Sequence, residues 1–346
     1  MGASATVRIM PPEEIAARGG GETPYLLWPE RDTVFAEREM RLRQLASGHS
    51  MHDYLLFMAD LAHAQQLVLR EIGEVPVPGA LALDDAARRG QPPLPAADWP
   101  RDPVWHEVLS RLVAEMLERA PEGARPALEQ LVDVSGEWLE EQADCLLTGV
   151  TRGLDMASAP IVAAALQVYW LHMVDRVRHG ESGREAPFGR IVDETVCPCC
   201  GSRPVASITR TAGELLGQRY LQCSLCASQW YMVRIKCTHC LGTSKLSYQS
   251  LDHADGDDDG GSRAAKAVVQ AETCDDCHHY LKIVHAERDP FVEPAADDLA
   301  TLTLDLLVSE AGLSRHGVNF MLLFGDPDAT EESSAPPERP PDGEAR

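Results

Sequence analysis

Four C-x-x-C pairs, Cys197/Cys200, Cys223/Cys226, Cys237/Cys240 and Cys274/Cys277, constrain this chain more than any other feature. Two residues between cysteines let the backbone turn tightly enough for both sulfurs to face one point, with backbone N–H groups nearby to support thiolates. Two such pairs complete a tetrahedral S4 shell, so eight thiolates predict two metal sites. The chain holds 10 cysteines in 346 residues, and nine of them lie between positions 197 and 277. A chain of this length buries a sizeable core without covalent staples. The clustering therefore points to ligands rather than to a disulfide framework. Redox dithiols of the thioredoxin type need a βαβ context, which the flanking sequence lacks.

Chain order suggests how the pairs combine. The stretch between the first two, "GSRPVASITRTAGELLGQRYLQ", is long enough for a hairpin that returns to close a ribbon. The last two enclose a second hairpin, with the charged, Gly-rich run 252–266 at its tip. That run lacks the spacing of an EF-hand, so a solvated loop is expected there rather than a calcium site. Sequential pairing, first with second and third with fourth, is the simplest arrangement. The linking segment "ASQWYMVRIK" spans at most ~35 Å when extended, so the two ribbons should form one rigid module. Tetrahedral S4 suits iron and zinc equally. A closed shell leaves no open position for a substrate, which argues against hydrolytic metal catalysis.

"VCPCCGSRP" carries one sulfur too many. Spacing selects Cys197 and Cys200 and leaves Cys199 as a non-ligand. His239, inside the third pair, and His278 and His279, after the fourth, are not needed as ligands when eight cysteines are available. Cys145 reads as a small core residue on a helix. The sequence offers no Ser/His/Asp set, no Gly-rich phosphate loop and no carboxylate pair at catalytic spacing, so an enzyme is not expected.

The remainder of the chain divides by texture. Residues 1–30 are irregular, broken by Pro and Gly. The opening "MGASAT" fits the loose myristoylation pattern at Gly2. Residues 31–190 read as a helical bundle of about five helices. The first has Asp32 as N-cap and stops near Gly48. The second carries Tyr54, Met58, Leu61, Gln65, Val68 and Ile72 at helical spacing. A Pro-rich connection covers 74–100. Three more helices follow, one starting at Pro103, one over "RPALEQLVDVSGEWLEEQADCLLTG" and one over "APIVAAALQVYWLHMVDRVRHG". Residues 191–290 form the double rubredoxin-like or zinc-ribbon module, with strands over "RYLQC", "QWYMVRIKC", "KLSYQSL" and "AVVQAETC". Residues 291–325 hold one C-terminal helix that ends at Gly312. Residues 326–346 are an acidic tail with the composition of disorder. The fold class is α+β.

No apolar run reaches the ~18 residues that a membrane span requires, and no signal peptide is apparent. A cytoplasmic protein without membrane insertion is expected. The net charge of −23 repels phosphate backbones unless a basic patch offsets it. In the cysteine-rich region acidic residues about match the basic ones, from Arg203 to Lys282, so nucleic acid is not expected as a partner.

The motifs "CPCCGSRP", "RYLQCSLCASQWYMVRIKC", "KCTHCLGTSKLSY" and "AETCDDCHHYLKI", in that order, resemble the formate dehydrogenase accessory protein (FdhE) family. The likeness extends to "ADDLATLTLDLLVSEAGLSRHGVNFMLL" and to "FAEREMRLRQLASGHSMHDYLLFMADLAHAQQ". It implies a non-catalytic cytoplasmic maturation factor that binds the catalytic subunit of formate dehydrogenase. It also implies that all eight paired cysteines are ligands of two tetrathiolate metal ions, with iron proposed in the family. The sequence departs from the family pattern at Cys199 and at "GVNF", where an Asn-Pro is more usual, and its acidic loop looks longer. Alternative readings are a zinc-ribbon nucleic-acid-binding protein and a rubredoxin-like electron carrier.

Overall fold

Helically spaced apolar residues carry the first half of the described chain through seven α-helices. These are α1 (Val34–Ala46), α2 (His52–Glu71), α3 (Ala80–Arg89), α4 (Val104–Arg119), α5 (Arg125–Gln130), α6 (Gly136–Thr148) and α7 (Ala159–Arg178). The computed structural model describes residues 23–180, 188–210, 217–251 and 266–323. Residues 1–22 with the Gly2 pattern, nearly all of the acidic run 252–266, and the tail 326–346 lie outside the described residues.

Helix α7 explains the bundle. Sixteen of its 20 residues are buried, so it has no solvent face and must sit at the centre. Helices α2, α4 and α6 pack around it. The one polar residue in the stripe of α2, Gln65, donates to Ala164 O at 3.0 Å and to Gln167 Oε1 at 2.9 Å, both on α7. A buried amide is tolerated because its donors are satisfied.

Four local expectations need correction. The first helix is capped at Thr33, not Asp32; it stops near Gly48 as expected, its last residue being Ala46. The long helix expected from Arg125 to Gly149 is two helices. Ser135 starts the second as an N-cap, accepting from Trp138 N at 3.2 Å, which competes with helix continuation. The Pro-rich connection contains α3, closed by Gly90 at φ +62°. Cys145 is half-buried rather than in the core, and its thiol donates to Arg152 O.

The second half contributes all but one strand of a mixed sheet, the exception being β1 (Leu26–Leu27) ahead of the helices. The other strands are β2 (Pro204–Thr209), β3 (Arg219–Cys223), β4 (Gln229–Tyr231), β5 (Leu246–Gln249), β6 (Val269–Cys274), β7 (His279–His285) and β8 (Ser314–Arg315). The order is β1-β4-β3-β2-β7-β6-β5, with β8 also beside β7. Each cysteine-rich ribbon is antiparallel. The parallel pairing of β2 with β7, Ser207 opposite Ile283 and Thr209 opposite His285, fuses them into one sheet. Arg219 on β3 reaches across that seam to Glu272 on β6 at 2.7 Å, both side chains being buried.

Arg219 also explains why "QWYMVRIKC" is a strand only as far as Tyr231. Its Nη1 donates to the carbonyls of Val233, Arg234 and Lys236, the last at 3.0 Å. Those carbonyls turn to a buried cation instead of to a neighbouring strand.

The expected single C-terminal helix is also two, α8 (Pro294–Ala300) and α9 (Leu302–Glu310). Thr301 breaks it. Its hydroxyl bonds back to Asp297 O at 2.8 Å, a contact that bends helices. Lys282 Nζ, fully buried on β7, draws carbonyl oxygens of the same turn, Asp298 O at 2.6 Å and Thr301 O at 3.4 Å. It pairs with Asp305 at 2.5 Å and Asp298 at 3.1 Å. Helix α8 is tied to α1 by Arg38–Glu293 at 3.1 Å and Arg41–Asp297 at 2.6 Å. The architecture is thus α+β, a helical N-terminal region followed by a mixed sheet that carries the cysteine pairs.

Candidate metal centres

All four C-x-x-C pairs end in a left-handed residue. The position after the second cysteine is Gly201 at φ +74°, Ala227 at +58°, Leu241 at +61° and His278 at +55°. Glycine enters this region freely; other residues pay for it in steric repulsion. Three of the four positions carry a side chain nonetheless. The turn is closed by backbone bonds such as Gly201 N to Cys197 O at 2.8 Å, Leu241 N to Cys237 O at 3.1 Å and His278 N to Cys274 O at 2.9 Å.

These turns bring the sulfurs together in two sets. In one, Cys197 lies 3.6 Å from Cys226, and Cys200 lies 3.4 Å from Cys223 and 3.7 Å from Cys226. In the other, Cys237 is 3.7 Å from Cys277 and Cys240 is 3.8 Å from Cys274. A tetrahedral shell with metal–sulfur bonds of about 2.3 Å places its sulfurs about 3.8 Å apart. The donor sets therefore fit a tetrathiolate ion without rearrangement. Backbone N–H groups of Cys199, Leu225 and Cys226 point at sulfurs of the first set, at 3.4 Å each. Those of His239 and Cys240 do so in the second, at 3.4 and 3.5 Å.

Electrostatics favour a cation at the first set. Burial pushes the Cys197 and Cys223 thiols well above the ordinary thiol range. Burial acts on Cys226 too, but hydrogen bonds from the surrounding thiols outweigh it and hold Cys226 low. Several thiolates cannot coexist in so dry a place without a positive ion among them.

The two sets differ in exposure. Cys197, Cys200, Cys223 and Cys226 are all buried. The chain segment after α3 runs over them, with Leu94 N donating to Cys199 O at 3.0 Å and Ala96 N to Cys200 O at 2.8 Å. Helix α7 holds that segment through Trp170 Nε1 to Leu94 O at 3.2 Å, and holds the second turn through Gln167 Nε2 to Ser224 O at 2.7 Å. In the second set Cys240 is exposed and Cys277 half-buried. Cys199 is fully buried beside Cys197 and Cys226 but outside the four-sulfur set.

The histidines form a separate group. His239 and His279 stack with ring centroids 3.6 Å apart and planes 4° from parallel. His316 meets His239 edge-on at 5.3 Å. His278 takes no part. It occupies the left-handed position of the fourth turn and is exposed.

The "GVNF" segment is held firmly. Val318 N donates to Pro204 O, and the Asn319 amide donates to Ala295 O at 2.9 Å and Asp298 Oδ2 at 2.8 Å. A side chain at Gly317 would meet Pro204 O at 2.8 Å.

Family models agree with this anatomy region by region. The N-terminal FdhE model matches residues 23–185, the central-domain model residues 196–234 and the C-terminal-domain model residues 235–322. The chain belongs to the FdhE family. The FdhE central region carries the first sulfur set, and the FdhE C-terminal region carries the second. Protein FdhE of Escherichia coli is 36% identical over 327 residues, covering 93% of this chain and 99% of that protein. A protein FdhE homolog of Edwardsiella ictaluri is 39% identical over 326 residues, covering 93% of this chain and 100% of its own length. The crystal structure of the FdhE protein from Pseudomonas aeruginosa superposes with a TM-score of 0.76 at 38% identity, covering 88% of this chain and 100% of that one. Among the described residues no helix is long and apolar enough to cross a membrane.

Proposed function

We propose that this chain is a cytoplasmic accessory protein for formate dehydrogenase. It binds the enzyme's catalytic subunit through a scaffold that two metal ions hold in shape. Cys197, Cys200, Cys223 and Cys226 are the ligands of one ion, and Cys237, Cys240, Cys274 and Cys277 those of the other, as iron or zinc. The observation that carries the reading is the pair of four-sulfur sets at tetrahedral spacing in a chain that matches the FdhE family over nearly its whole length. Closed S4 shells suit a structural or electron-transfer role better than hydrolysis, so the protein itself is not the enzyme.

The division of labour follows from burial. The first ion staples the sheet to the helical region. The second stabilises a surface-facing ribbon, where a partner can reach. Exposure of Cys240 favours a second reading for that centre, a rubredoxin-like electron carrier loaded with iron. A colourless protein with two zinc ions would exclude it.

The tagged chain, expressed in cells that make a formate dehydrogenase, should retain the catalytic subunit. A deletion strain should lose most formate dehydrogenase activity. Full activity in the deletion strain, with no catalytic subunit captured, would sink the functional reading. Metal analysis tests the ligands independently. Cys240→Ala should lose one metal equivalent, and an unchanged metal content would remove Cys240 from the ligand set.

A further inference from the structure

The helical region, the first cysteine turn and the segment beyond β8 meet around a groove. Leu147, Val150 and Leu154 line it from the end of α6 and the turn that follows. Val196 lines it from the approach to Cys197, and Val318 and Leu323 from the C-terminal side. The groove encloses about 460 Å3, and Val150 on its wall is 50% exposed. We propose that it docks an extended peptide segment of the partner protein, one that carries apolar side chains beside a carboxylate. The proposal rests on the accessory-protein reading and gives it a surface.

The charge of the occupant follows from Arg203. This residue lines both the groove and the polar cleft of His239, His279 and His316, so it marks where the apolar lining gives way to polar groups. It is exposed, and its guanidinium makes no ion pair or hydrogen bond among the described residues. Asp193, on the same rim, is turned to Thr195, accepting from its N at 2.9 Å and its Oγ1 at 2.6 Å. Arg203 is thus left for a carboxylate from outside, which its planar fork binds well.

The backbone of the groove wall points to a peptide. Leu146, Leu147 and Thr148 end α6 there, and Val150 N turns back to Cys145 O at 2.9 Å rather than to any of them. The last carbonyls of the helix are therefore left to N–H donors from beyond it. An extended peptide brings such donors at regular spacing along with its side chains. Two nearer occupants fit poorly. Beyond Phe324 the sequence to Arg346 holds no Val, Ile, Leu, Met, Phe, Tyr or Trp, so it brings no large apolar side chain to the groove. A second copy of the chain brings an equal net charge of −23, and the two repel.

Cys145 lines the groove as well and supplies the readout. With eight thiols holding metal and Cys199 fully buried, the Cys145 thiol is the one left for a reagent. The metal-loaded full chain is mixed with the purified catalytic subunit of a formate dehydrogenase. Cys145 should react with N-ethylmaleimide in the free chain and be shielded in the complex, mapped by mass spectrometry. Val150→Asp and Arg203→Glu should each weaken binding of the subunit roughly tenfold, the loss of one strong interface contact. Both should keep two metal equivalents and the wild-type melting temperature. Leu81→Asp, at an exposed apolar residue outside the groove, should bind as the wild type does. If the wild type and both groove variants bind the subunit equally, or Cys145 stays reactive in the complex, the groove is overturned while the accessory-protein reading stands. A Cys145 that resists the reagent in the free folded chain also overturns it, because the chain then covers its own groove. A wild type that binds no catalytic subunit takes down the reading and the groove together.

Discussion

His172 shows what a single buried residue costs and when. It lies on α7 with its ring almost fully enclosed, and Arg31 Nη1 donates to its Nδ1 at 2.9 Å. Burial, followed by the nearby cations Arg31 and Arg176, lowers its pKa to about 4, with Asp175 pulling weakly the other way. An unfolded histidine titrates near 6.5. The unfolded chain therefore binds a proton that the folded chain refuses. The stability from this residue is complete above pH 6.5 and is lost as pH falls through about 4. The loss is on the order of 3 kcal/mol when titration is complete. His172→Gln keeps an acceptor for Arg31 and cannot titrate. Urea denaturation at pH 7 and pH 4.5 should show the wild type losing more stability than the variant over this interval. Parallel losses in the two proteins would show that His172 is not responsible.

At the scale of elements, the repeated turn is the unit that matters. Gly201 and His278 occupy the same left-handed position in the first and fourth turns, at φ +74° and +55°. Gly201→Ala should destabilise the metal-loaded protein by about 1 kcal/mol, the ordinary left-handed penalty for a Cβ. His278→Gly removes that penalty at an exposed position, with part of the gain cancelled by glycine's freedom in the unfolded chain. It should raise stability by up to about 1 kcal/mol. Shifts of the same sign in denaturation midpoint would mean that the two turns are not equivalent. The cysteine spacing made these turns legible in the sequence, together with the α+β order and most helices. Strands β2 and β7 were harder to see. "PVASIT" and "HYLKIVH" are buried along almost their whole length, so they lack the polar/apolar alternation that marks a half-exposed strand. The breaks at Ser135 and Thr301 depend on side chains bonding to backbone, which apolar periodicity does not register. The grouping of His316 with His239 and His279 was invisible because His316 comes from a segment distant in sequence, and the pairing of β8 with β7 brings it alongside.

For the whole molecule, the decisive asymmetry is that one sulfur set is interior and the other is at the surface. The first set lies under the 94–96 segment, which Trp170 on the central helix holds down. Reaching it requires opening the junction between the helices and the sheet. The second set has Cys240 exposed, so a local opening of one turn suffices. Local openings are far cheaper than global ones. A chelator added to protein carrying two ions should therefore remove them in two phases of one equivalent each. The fast phase should be nearly insensitive to mild denaturant. The slow phase should accelerate with denaturant in step with global unfolding. Cys240→Ser should abolish the fast phase and leave the slow one. Trp170→Phe, which deletes the bond to Leu94 O, should speed only the slow phase. Release of both ions at one shared rate would contradict this order, because it would mean that the fused sheet opens as a unit before either centre yields its metal. The seam between the ribbons is stiff, with β2 paired to β7 and Arg219 bonded to Glu272 across it. Independent release would therefore place the weak point in the turn of Cys237 and Cys240 and not in the sheet.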